Sequence, residues 1–347
     1  GFYASAESSL TRPADQFQLD QEAYLSDGAT FAQTALETAD TSSMEFQALQ
    51  VFQELTRLHL ADKDPAALVA LGLQRLKFVR SNMALSNADT LYIQALENLL
   101  AQVKDHPASA QVAHSLAEVY KGSAAAYRPL ISDAHKWDLR KAMEYCNAAI
   151  SKFPDTNGGI ACYNLKRNIE TSTLKVTVEA HNLPAAPFRG LVAYRNLDKV
   201  YYRIVKTSSE AVQKLYEDLS KERNYSEREM GMVAHFAALQ PVQSGSYDLE
   251  NDGDYQEHSV EVKFDELPVG EYAVLVSATE DFVPDATGVA YAFMTVTDIS
   301  YIDRNNTKME ATELYVLSRT TGKPLPNVTL KAYTTEYDYA KRTNKVR

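Results

Sequence analysis

The chain has 347 residues, 45% of them hydrophobic, a formal net charge of −11 and two cysteines. The length fits two or three domains, and the apolar share is too high for disorder. The acidic balance, with no basic stripe, speaks against nucleic acid and against an anionic membrane surface as partners.

No apolar run approaches the roughly 18 residues of a membrane span. The start, GFYASAESSL, does not read as a signal peptide, though its first Gly could be a tag scar. The first 18 residues are polar with an early Pro13, and are expected to be extended. From about residue 19 to 170 the spacing is helical. Asp64-Pro65 is a start signal, because Asp caps and Pro suits the first helical position. Leu68, Leu71, Leu76 and Val79 then share a face. A second stripe, Leu91, Ala95, Leu99 and Val103, starts near Asn87 and is stopped by Pro107. Further helices are expected over about Ser109–Tyr120 and Lys136–Phe153, the latter closed by Pro154. A last short one holds Ile160, Tyr163 and Leu165.

Leu116, Ala117 and Tyr120, with Ala142, Cys146, Ala149 and Pro154, have the spacing of tetratricopeptide-type helix pairs. The connection is about a dozen residues too long for that repeat's 34-residue period. Stacked helical hairpins leave a curved surface. Such a surface binds a ligand or braces a neighbour. A binding groove would be marked by exposed aromatics such as Tyr92, Tyr120 or Tyr127. Cys146 and Cys162 fall on predicted helices one loop apart. They are either two small core residues or a bridged pair.

At Thr171 the period changes to two. Leu174, Val176 and Val178 alternate, and His181-Asn182-Leu183-Pro184 is read as a turn. Strands are expected over Leu191–Tyr194 and Val200–Val205, with Tyr201 and Tyr202 on opposite faces. From about 207 to 240 the signal is helical again, an insertion between strands. The stretch Tyr255–Asp298 carries three more strands. Val260, Val262 and Phe264 share a face, then Tyr272, Val274, Val276 and Ala278, then Val289, Tyr291 and Phe293. Leu267-Pro268-Val269-Gly270 reads as a turn between the first two.

The fold class is therefore α plus β in several domains. Residues 1–170 are helical and tetratricopeptide-like. Residues 171–298 form an antiparallel, immunoglobulin-like sandwich with a helical insertion. Residues 299–347 open a further β-domain. In it Leu314 and Val316 lie on a strand, Thr321-Gly322-Lys323-Pro324 is a turn, and Val328, Leu330 and Ala332 return. Fewer than about 50 residues do not complete a sandwich of roughly 100, so the chain is expected to continue in a longer protein.

The stretch from Val296-Thr297-Asp298 through Leu314–Leu317 and Thr321–Pro324 to Val328–Tyr333 resembles a junction between macroglobulin domains of bacterial α-2-macroglobulins. Leu267–Tyr272 and Tyr194–Leu197 leading to Val200-Tyr201 are similar to the same family. The order of regions resembles its large secreted members in Bacteroidetes. The resemblance implies a scaffold in a protease-trapping inhibitor of the cell envelope, periplasmic or extracellular, whose partners are proteases and the rest of its own chain. The thioester chemistry of that family needs a Cys followed by Glu-Gln. Cys146 is followed by Asn-Ala-Ala and Cys162 by Tyr-Asn-Leu, so neither fits.

No catalytic, cofactor-binding or metal-binding residue is assigned. There is no His-Glu-x-x-His, no phosphate loop and no Gly-x-Ser-x-Gly elbow. His106, His114, His135 and His258 read as surface or satisfied histidines. The acidic loop Asp248–Asp254 has oxygen side chains at alternate positions and a Gly, as in a calcium loop. Ser259 stands where the bidentate Glu belongs, and a solvated hairpin loop is the plainer reading. The chain is read as a non-enzyme without cofactor. The alternatives are a cell-envelope interaction module for a peptide, glycan or partner subunit, and an enzyme on an unfamiliar scaffold.

Overall fold

The structure, a computed structural model, describes residues 15–220, 224–283, 288–306, 311–331, 335–338 and 343–346. It divides into two units, Gly1–Glu170 with Gly253–Gln256, and Thr171–Asp252 with Glu257–Arg347. Among the described residues no helix is long and apolar enough to cross a membrane. The architecture is a helical region followed by β-sheets, with helices again inside the second unit.

The helical unit opens on a 3₁₀ turn at Glu22–Leu25. It continues through α1 (Gly28–Gln33), α2 (Met44–His59), α3 (Ala66–Asn82), α4 (Ala88–Gln102), α5 (Ser109–Ala124), α6 (Asp138–Lys152) and α7 (Asn157–Glu170). At α1, α2 and α3 side chains serve the first free backbone N–H groups. Asp27 Oδ1 accepts from Ala29 N at 2.9 Å and Thr30 N at 3.1 Å. Ser43 Oγ accepts from Phe46 N at 3.2 Å, and Asp64 Oδ1 from Ala66 N at 2.8 Å. The Asp64-Pro65 signal thus marks the start of α3 one residue later than expected, with Pro65 as the N-cap and Ala66 the first helical residue. Pro13 lies outside the described residues.

Two helices turn a different face inward from the one their leucines indicate. On α4 the buried residues are Tyr92 and Leu96, while Leu91, Ala95 and Leu99 are half-buried. The helix packs against both α3 and α5, so it is apolar on more than one side and its strongest stripe does not decide its rotation. On α7, Ile160 and Tyr163 are exposed, and Gly158, Gly159, Cys162, Leu165 and Ile169 are buried. Small residues decide here, because α7 approaches the α5 backbone too closely for a side chain at Gly158.

The second unit contains β1 (Thr173–Val178), β2 (His181–Asn182), β3 (Phe188–Arg195), β4 (Lys199–Thr207), β5 (Pro241–Asp248), β6 (His258–Phe264), β7 (Gly270–Ser277) and β8 (Val289–Val296). Between β4 and β5 run α8 (Ser209–Ser220) and α9 (Tyr225–Ala237). Asn224 caps α9 in a reciprocal box with Glu227. One sheet has the order β1-β3-β6, the other β2-β8-β7-β4-β5. Pairing is antiparallel except for the short parallel match of β2 with β8. The inner faces of both sheets meet in one core built on Val192, Ile204, Phe264 and Val274.

This topology corrects several strand expectations. Leu267–Gly270 is not a hairpin turn, because β6 and β7 lie in different sheets. It is a crossover pinned by buried Leu267 and by Tyr272 Oη donating to Pro268 O at 2.9 Å. His181-Asn182 is a two-residue strand rather than only a turn. On β8 the inward face carries Ala290, Ala292, Met294 and Val296; Val289 and Tyr291 instead face the inserted helices. Tyr201 likewise packs against α8 and α9 instead of facing water. β7 is buried on both sides, Tyr272, Val274 and Val276 toward the sheet core, Ala273 and Leu275 under the helices.

Strand β5 carries two residues that usually break strands. Pro241 is its first residue, at the edge of the sheet, where no ladder N–H is needed. Gly245 lies opposite Tyr202, whose ring crosses it; a Cβ there would stand 2.8 Å from the ring.

After Asp298 the chain forms two hairpins, β9 (Ile299–Asn306) with β10 (Ala311–Ser318), and β11 (Thr335–Asp338) with β12 (Thr343–Val346). The partner of β10 is therefore β9, and Val328 and Leu330 lie on no strand. Ala332 and Tyr333 lie outside the described residues.

Candidate functional site

The helical unit holds a groove of about 740 Å³ between the ends of α3, α4, α5 and α6. Its wall includes Arg80, Ile93, Glu118, Tyr120, Asp138 and Lys141. Tyr120 stacks on Tyr145 with centroids 5.8 Å apart, and Lys141 Nζ lies 5.1 Å above its ring. Tyr145 Oη donates to Glu97 Oε1 at 3.0 Å. Burial first, and then that carboxylate, raise the Tyr145 phenol well above its ordinary range. Tyr92 is buried beneath Arg80, whose guanidinium lies 5.0 Å from the ring centre and 2.6 Å from Asp89 Oδ1. Of the three tyrosines named as groove markers, Tyr120 alone lines the groove.

At one end of the groove Ser123, His135 and Asp138 meet. Asp138 Oδ2 lies 2.5 Å from Ser123 Oγ and 2.8 Å from His135 Nδ1. A hydrolytic triad needs the hydroxyl to donate to the imidazole and the imidazole to the carboxylate. Here hydroxyl and imidazole share one carboxylate oxygen. The imidazole is therefore not placed between hydroxyl and carboxylate, and the cluster ties the α5–α6 connection to the first turn of α6.

The other helical-unit histidines do not converge. His106 Nε2 is 3.2 Å from Asp64 Oδ1, and His114 Nε2 is 3.8 Å from Glu118 Oε1. Burial lowers the His114 pKa, with Glu118 opposing. His258 stacks on Tyr194 at 5.7 Å.

In the second unit a cleft of about 620 Å³ runs between α8 and the outer edge of β8, lined by Val212, Tyr216, Met232, Tyr291 and Phe293. Tyr291 Oη donates to Glu229 Oε2 at 2.9 Å. Its lining is mainly apolar and also includes His181, Ser208, Ser209 and Glu271.

The acidic loop is flanked by strands β5 and β6, not by helices, so it is not a calcium loop of the helix–loop–helix kind. Gly253 takes a positive φ of 76°, and Asp254 Oδ1 accepts from Gln256 N at 2.8 Å, an Asx-type turn.

The most ordered polar arrangement that unites residues singled out in the sequence is at Asp298. Its Oδ1 accepts from Thr320 Oγ1 at 2.6 Å and Thr320 N at 2.9 Å, and its Oδ2 from Ser318 Oγ at 3.0 Å. Its carbonyl accepts from Arg319 N at 2.7 Å. Gly322, at φ +67°, closes the turn. Thus the last residue of the Val296-Thr297-Asp298 triplet is held by Ser318 and Thr320, just before the Thr321–Pro324 turn. The hydrogen bonds from Thr320, then Ser318, hold the Asp298 pKa below the usual carboxylate value. The clamp is therefore complete above the ordinary pKa of about 4 and is lost as pH falls through the lowered folded value. Asp298→Ala is expected to leave the two-sheet core intact and to raise tryptic cleavage after Arg319 several-fold. The cleavage rate read by mass spectrometry checks this, and a ¹³C titration of the Asp298 carboxyl checks its direction of shift.

No family model matches the chain, and no curated protein matches it. Among solved structures it is similar to native α-2-macroglobulin from Escherichia coli, spanning domains MG0-NIE-MG1, at 12% identity and a TM-score of 0.30. That match covers 45% of this chain and 48% of the other, so the chain spans about half that length. It is also similar to a CARDB domain from Pyrococcus furiosus in complex with di-metal ions. The identity is 10% and the TM-score 0.21, over 36% of this chain and 91% of that one. At these TM-scores neither likeness carries an argument about function.

Proposed function

We propose that this chain is a non-catalytic scaffold, part of the N-terminal region of an α-2-macroglobulin-like protease-trapping inhibitor of the bacterial cell envelope. What supports the reading is the joint at Asp298. There the end of one motif that resembles a macroglobulin junction is bonded to Ser318 and Thr320, between two others, after a two-sheet domain and a helical region in the order the resemblance implies. On this reading the helical unit is a tetratricopeptide-like brace and the two-sheet domain an immunoglobulin-like macroglobulin domain. The proteases are bound by the whole protein, in the periplasm or outside the cell.

Incubation with a broad-specificity protease tests the assignment. The chain is expected to be digested in the ordinary way, leaving the protease active on protein substrates. A protease that stays bound and loses activity on proteins, while still cleaving small peptides, would overturn the scaffold role. A parent reading frame that carried no further two-sheet domains would remove the family assignment as well.

The groove at Tyr120 favours a second reading, an interaction module for a peptide or partner subunit. Its aromatic floor and mixed charge suit a polar extended ligand.

A further inference from the structure

Cys146 on α6 and Cys162 on α7 are both wholly buried, at 0% exposure, in the core shared by α5, α6 and α7. Helices α6 and α7 are joined by the short connection around Pro154 and pack on each other. Each cysteine lies the same distance along the chain from Pro154. A helix advances by about 1.5 Å per residue, so equal offsets from the turn place both at one level of the hairpin. Both are free thiols, and the Cys162 thiol donates to Ala110 O at 3.8 Å. The same core holds the short side chains of Ala142 and Ala149 on α6 and Ala110 and Ala113 on α5, beside the larger Met143 and Leu165. Two thiols at one level of packed neighbouring helices, in one core, can approach the roughly 2 Å of an S–S bond by side-chain rotation and a shift of the helices.

We propose that Cys146 and Cys162 form an oxidisable pair that closes to a disulfide and staples α6 to α7. The oxidant is a disulfide, either of low molecular weight or in a thiol oxidase. The sulfur of Cys146 attacks it, forms a mixed disulfide and releases one thiol. The sulfur of Cys162 attacks the mixed disulfide, forms the internal S–S bond and expels the second thiol. Two cysteine thiols are oxidised, one disulfide is reduced to two thiols, and both protons end on the released thiols. With the two cysteines exchanged as attacking and resolving members, the balance is the same. Burial of both sulfurs places the exchange during folding or in a local opening of the hairpin. The bridge is independent of the scaffold assignment, since it requires only α6, α7 and an oxidant.

The test uses the full chain, unfolded and reduced, then refolded with and without oxidised glutathione and alkylated under denaturing conditions. The expected product is a mass 2 Da below the reduced chain, with no alkylation and a peptide linking Cys146 to Cys162. The melting temperature of the helical unit should be higher by roughly 5–10 °C, and dithiothreitol should reverse it. Two alkylated cysteines after oxidative refolding overturn the proposal, and so does a glutathione adduct that persists on one of them. A bridge that lowers the melting temperature overturns the staple.

Discussion

Gly158→Ala lowers the stability of the helical unit by about 3 kcal/mol, the upper part of the usual cost of overpacking. A Cβ at Gly158 would stand 2.4 Å from both Ala110 C and Gln111 N, and 2.8 Å from Ala110 O. These are backbone atoms of α5, so no rotamer change relieves the clash and α7 must move away. The gain in helix propensity, about 1 kcal/mol, does not offset this. Gly122 is the control, since a Cβ there meets nothing within 4 Å. Gly122→Ala is expected to stabilise α5 by up to about 1 kcal/mol. The two units need not unfold together, so the measurement is hydrogen exchange of the α5 and α7 amides rather than a single melting curve. Equal protection in both variants would show that α7 can slide along α5 at no cost.

Arg75→Met costs about 3 kcal/mol and releases the N-terminal 3₁₀ turn from the helices. Arg75 is buried on α3, yet its guanidinium forks to two main-chain carbonyls, Tyr24 O at 2.5 Å and Ser26 O at 2.6 Å. Its face lies 4.2 Å from the Phe31 ring centre. Burial lowers its pKa to about 10, with the Asp27 carboxylate opposing, so it stays charged at neutral pH. Methionine fills much the same volume but leaves both carbonyls without their donor. The removed burden of a buried charge returns part of the loss. Arg75→Lys keeps the charge but loses the fork, and falls between. Hydrogen exchange of residues 22–33 reads the effect. Unchanged protection in the Met variant would mean that the turn is held by Leu19, Tyr24 and Leu25 packing alone.

Much of the fold was legible because its signals are local. Asp64-Pro65, Pro107 and Pro154 punctuate the helices, and the change of period at Thr171 marks where strands begin. What stayed hidden depends on partners distant in the chain. The rotation of α7 follows from glycines that meet α5, not from its own Ile160 and Tyr163. Strand β5 was unreadable because Pro241 and Gly245 look like breakers until Tyr202 is placed across them. The inward face of β8 was misread because Tyr291 and Phe293 are large, whereas the helices α8 and α9 give those residues a second apolar surface. At the candidate groove Tyr120 was visible as an aromatic on a helix. The Ser123–His135–Asp138 cluster was not, since only the folded α5–α6 connection brings the three together. Asp298 and the Thr321–Pro324 turn read as separate motifs in the sequence; the bonds from Ser318 and Thr320 that bring them near one another form only in the folded chain.

The ladder between β4 and β7 has a kinetic consequence. Thr207 pairs with Glu271, so α8, α9, β5 and β6 are all synthesised between the two partners. The α8–α9 hairpin can form quickly from near neighbours, but the central ladder waits on closure of a long loop. Until then β7, apolar on both sides, has neither of its covers. The slow step of this unit is therefore the docking of β7, and the interval before it is when the chain is most exposed to aggregation.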